Sequence, residues 1–73
     1  MLEEIRTRLR AIPFEPFTIR LADGRELIVP HQDFVWLPKP GTLFYFHEEP
    51  GGSERINPLL IVSVRGSAET PAA

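Results

Sequence analysis

The segment PFEPFTIRLADGRELIVPHQDF, residues 13–34, decides how the chain reads. Two runs that alternate apolar and polar residues flank Asp23-Gly24, the chemistry of a tight hairpin turn. Loop length then fixes which faces pair. A two-residue Asp23-Gly24 turn sets Ile19 opposite Ile28 and Leu21 opposite Glu26, which forces a carboxylate onto the buried face. A three-residue Ala22-Asp23-Gly24 loop, with Gly24 left-handed, sets Ile19 opposite Leu27 and Phe17 opposite Val29. Thr18, Arg20, Glu26 and Ile28 then share the other face, with Arg20 directly across from Glu26. This register buries no charge and makes an opposite-charge cross-strand pair, so it is the expected one.

Upstream, LEEIRTRLRAI places Leu2, Ile5, Leu9 and Ile12 at spacings of three and four, one stripe of a helix. Glu3 and Glu4 lie in its first turn and Arg6, Arg8 and Arg10 follow, which suits the helix dipole. Glu4 and Arg8 form an i,i+4 pair, and Pro13 disfavours helical geometry at Ile12, so the helix stops there. The prolines of PFEP impose an extended lead-in, with Phe14 and Phe17 capping the core.

Downstream, HQDFVWL reads as a corner and a short strand, and PKPG as a turn. TLFYFHEE is the next strand, and PGGS turns it back through Glu54, Arg55 and Ile56. Asn57-Pro58 makes a tight corner into the apolar strand LLIVSV. The expectation is an α+β, mainly β domain over residues 1–66. An N-terminal helix precedes about five short antiparallel strands forming a small, curved SH3-like or Sm-like sheet or barrel. Residues 67–73 read as a disordered tail. The barrel comparison is an analogy of fold and carries no function.

Length and composition narrow the function classes. Seventy-three residues make one domain with little material left to enclose a deep pocket. The chain has no cysteine, which excludes disulfide scaffolds and thiolate zinc sites. Eight basic and ten acidic residues leave a net charge of -2, without the basic footprint of a nucleic-acid protein. No run approaches a membrane span, and the start has acids where a signal peptide has positive charge. A cytoplasmic protein with no cofactor and no membrane partner is expected.

Three constellations bear on chemistry. His31 and Asp33 are two residues apart, and His47 and Glu49 repeat that spacing, so two such pairs on neighbouring strands can form a His/carboxylate metal site. The structural reading of the first pair is a corner in which Asp33 caps a turn and His31 packs at the sheet edge. No serine lies in a nucleophile motif, and PGG lacks the helix and lysine of a phosphate loop. In LFYF, Leu43 and Tyr45 on the core face leave Phe44 and Phe46 on the other. The helix, a second copy or a stacked ligand must cover them. Trp36 suits either the core or an interface. LLIVSV is apolar on both faces, with Leu60, Val62 and Val64 on one and Leu59, Ile61 and Ser63 on the other. It reads as a central strand or a subunit contact.

The pattern PFxPFxIxLxDGRxxxVxHxxF resembles a group of short bacterial proteins that share a preceding helix and an apolar LL strand near the end. No established activity comes with that resemblance, so it implies no site residues. Members typically have a proline two residues before the last phenylalanine, where this chain has Gln32-Asp33 after His31.

The leading expectation is a non-enzymatic interaction module. It self-associates as a dimer through Trp36, Phe44, Phe46, Ile28 and Ile61, and it binds another protein. The alternative is a single-stranded nucleic-acid module in which aromatics stack bases while Arg20, Arg25, Arg55 and Arg65 meet phosphates. The third is a metal-dependent enzyme using His31, Asp33, His47 and Glu49.

Overall fold

The computed structural model describes residues 2–47 and 51–66. Glu49 and the 67–73 tail lie outside them. Helix α1 (Leu2–Arg10) leads into β1 (Phe17–Leu21) and β2 (Glu26–Val29), and a 3-10 turn at Gln32–Phe34 precedes β3 (Val35–Trp36). Strands β4 (Leu43–Phe46) and β5 (Ser53–Ile56) follow, and a second 3-10 turn at Pro58–Leu60 enters β6 (Ile61–Gly66). The six strands among the described residues form two three-stranded antiparallel sheets, ordered β2-β1-β6 and β3-β4-β5. These sheets are not closed into a barrel.

The β1–β2 hairpin adopts the three-residue loop. Phe17 pairs with Val29, Ile19 with Leu27 and Arg20 with Glu26. The Leu21 N–H donates to the Arg25 carbonyl at 2.9 Å, and Gly24 takes a φ of +92°. Asp23 braces the turn by accepting the Arg25 N–H at 2.9 Å. A left-handed residue is needed there, and glycine adopts that conformation without a Cβ penalty.

Helix α1 spends its apolar stripe on the core. Ile5 is fully buried, and Leu2 and Leu9 pack beside it. Arg8 pairs with Glu4 at 3.2 Å, as the i,i+4 spacing requires. The helix ends at Arg10, so Ile12 falls beyond the stripe and is 97% exposed, contrary to the helical spacing. The periodicity continued through Ile12 while the backbone had already left helical geometry ahead of Pro13.

Strand β6 departs furthest from expectation. It begins at Ile61, because Pro58–Leu60 forms a 3-10 turn capped by Asn57, whose Oδ1 accepts the Leu59 N–H at 3.0 Å. The strand is an edge of its sheet and not a central member. Its pairing with β1 shifts between Arg20 and Leu21, with Arg20 opposite Ser63 and Leu21 opposite Ile61. Val62 is therefore the extra residue of a β-bulge, and strict alternation breaks at that point. Ile61 and Val64 both turn inward, while Val62 stays exposed.

The core is one cluster drawn from both sheets and the helix. Phe17, Ile19 and Val29 enter it from the first sheet, and Val35, Leu43 and Ile56 from the second. Among the described residues, every buried side-chain nitrogen and oxygen has a hydrogen-bond partner.

Candidate functional surface

The second sheet presents the aromatic face. Leu43 and Tyr45 point into the core, so Phe44 and Phe46 project outward. Trp36 lies opposite Phe44 on β3, and Arg55 lies opposite Phe44 on β5. Residues directly opposite each other share a face, so Trp36, Phe44 and Arg55 form one outward row. The Trp36 and Phe44 rings stack at 5.6 Å with a 30° interplanar angle. Trp36 is 55% exposed and Phe46 36%, so the helix leaves this face in solvent. Trp36 is thus a surface residue and not part of the core.

The other two expected interface residues are elsewhere. Ile28 is exposed on the outer face of the first sheet, in a row with Thr18 and Arg65. Ile61 is only 7% exposed and belongs to the core, so it presents no interface. The bulge at Val62 is the reason, because it turns Ile61 to the same side as Val64.

A polar cluster joins the two sheets at one end. The Arg25 guanidinium, just past the β1–β2 turn, makes two parallel 2.7 Å bonds to the Glu54 carboxylate on β5. His47 Nε2 lies 3.1 Å from the same carboxylate. Hydrogen bonds from Arg25, then from His47, hold the Glu54 carboxyl down at about 2. Glu54 in turn holds the Arg25 guanidinium above its ordinary value. Beside this cluster the Tyr45 hydroxyl donates to the Ile28 carbonyl at 2.7 Å, and burial raises its pKa. The His47 ring meets Tyr45 edge-on at 5.0 Å. Bidentate geometry makes Arg25–Glu54 a clamp between hairpin and sheet. It consumes a guanidinium otherwise available for phosphate.

The His/carboxylate constellation is only partly assembled. His31 is exposed and its ring packs on Phe34 at 6.1 Å. The His31 side chain makes no cap bond at this corner, which closes through the Phe34 N–H donating to the His31 carbonyl at 3.1 Å. Asp33 and His47 meet across a shallow depression of about 210 Å³, lined also by Phe34 and Phe46. His47 is already engaged by Glu54. The described residues bring together no group of three His, Cys, Asp or Glu placed to hold a metal ion.

The four arginines do not form one stripe. Arg20 and Arg65 sit on the first sheet's outer face, where Arg65 lies 3.6 Å from Glu26. Arg25 is clamped to Glu54, and Arg55 adjoins the aromatic row.

These features define a small, mainly β protein with an N-terminal helix, an open aromatic sheet face and an ionic clamp between its sheets. Comparison with family models, curated proteins and solved structures finds no match to the chain.

Proposed function

We propose that the chain is a non-enzymatic interaction module that self-associates, as a dimer, through the outer face of β3-β4-β5. The observation that carries this reading is the half-exposed Trp36 stacked on Phe44 beside exposed Phe46. Aromatic rings of this kind bury about 150–250 Å² each at a contact and dominate interface energetics. Exposed Ile28 on the first sheet offers a separate surface to another protein. The SH3-like reading of the fold belongs to the same proposal. It is supported by the pairing of β1 with β6 and by the 3-10 turn just before β6. Membership in the group that shares the residue 13–34 pattern belongs to it as well, as does a cytoplasmic location. Among the described residues no helix is long and apolar enough to cross a membrane.

Molar mass by light scattering across a concentration series tests the reading, with Phe46→Glu beside the wild type. A wild-type dimer and a folded monomeric variant are expected. A wild type that stays monomeric throughout rejects self-association.

A second reading, binding of single-stranded nucleic acid, is favoured by one observation: Arg55 stands next to the Trp36–Phe44 stack. The clamped Arg25, the Glu26-paired Arg65 and a net charge of -2 weigh against it. Salt-dependent binding of a mixed oligonucleotide is its signature, and no binding at low salt removes it.

A further inference from the structure

The cross-strand register makes the aromatic face complementary to itself. Trp36, Phe44 and Arg55 stand directly opposite one another across β3, β4 and β5. Neighbouring strands lie about 4.8 Å apart, so the indole and the guanidinium start roughly 10 Å apart with Phe44 midway. One end of the row is a π face and the other a cation, groups that attract each other when stacked. Within one copy Phe44 occupies the space between them. A second copy brings them together.

Resting on the self-association proposed above, we infer that a second copy of this chain covers the face with a two-fold axis parallel to β4. Rotation about such an axis, lying between two facing sheets, reverses order across the strands and preserves position along them. Trp36 then lies over Arg55 of the second copy, and Arg55 over its Trp36. Phe44 meets Phe44 and Phe46 meets Phe46 near the axis, as an isologous contact requires. An axis perpendicular to the strands gives the opposite result. It places the two Trp36 rings together and two Arg55 cations face to face, and like charges across an interface are costly. Charge complementarity therefore selects the axis along β4. It also selects the occupant, because the row supplies both halves of each Trp–Arg pair without help from another protein.

The absence of cysteine makes single-cysteine variants clean probes of this arrangement. Trp36→Cys and Arg55→Cys are prepared separately, then mixed and treated with a short bis-maleimide. In a mixed dimer one introduced cysteine faces the other, while the second Trp–Arg pair stays native. The expected result is covalent dimer from the mixture and little from either variant alone, with Phe44→Cys linking to itself. Arg55→Ala weakens the wild-type dimer by about ten- to a hundredfold as two pairs are lost, and Arg55→Lys restores part of it. Trp36→Cys linking to itself in an intact dimer overturns the axis and leaves self-association standing. A monomeric wild type by light scattering overturns both.

Discussion

Glu54 shows how one side chain can tie a fold to pH. Its carboxylate accepts two bonds from Arg25 and lies 3.1 Å from His47, and these partners bring its pKa from 4.5 to about 2. A folded-state pKa below the unfolded value means that the pairing stabilises fully above about pH 4.5. That contribution fades as pH falls from about 4.5 to about 2. Glu54→Gln is therefore less stable than wild type at neutral pH, and the gap between the two urea midpoints narrows through that window. A gap independent of pH removes the ionic origin of the clamp. The clamp was not legible in the sequence. Arg25 and Glu54 are 29 residues apart, on different sheets, and no local rule brings them together. The register beside it was legible, because loop length, glycine chemistry and the cost of burying Glu26 are all local.

At the scale of elements, β6 separates what alternation predicts from what a strand does. Six residues of mostly apolar character read as one face of Leu60, Val62 and Val64 and another of Leu59, Ile61 and Ser63. Period-two reading assumes an uninterrupted ladder, and the bulge opposite Arg20 and Leu21 adds one residue. Nothing in the apolar run marks where that residue enters. The consequence is measurable. Ile61→Ala removes buried methyl groups and costs about 2–4 kcal/mol of stability, whereas Val62→Ala changes it by about 0.5 kcal/mol or less. Equal losses at the two positions would place both on the same footing and contradict the bulge. The helix met a milder version of the same difficulty. Its stripe held through Leu2, Ile5 and Leu9, and failed at Ile12, where Pro13 dictates the backbone.

For the whole molecule, the helix followed by short antiparallel strands could be read from spacing and turn residues. Whether the strands close could not, since closure depends on docking two sheets. The same docking decides which apolar residues remain outside. One short helix places Ile5, Leu2 and Leu9 in or against the core, which uses its whole apolar stripe. Trp36, Phe44 and Phe46 are then an open platform, and covering it with a second copy couples folding to association. Such coupling, if the proposed dimer forms, predicts a thermal midpoint that depends on protein concentration, because mass action then favours the folded, associated state. For a chain this small the midpoint rises by several degrees over roughly a hundredfold range of concentration. Phe46→Glu, with a charge on the platform, melts at a midpoint independent of concentration. Differential scanning calorimetry on both proteins decides the matter. A wild-type midpoint that does not move with concentration means the platform is left uncovered in the folded protein. The Trp36–Phe44 stack beside Arg55 then becomes the surface on which to look for bound single strands.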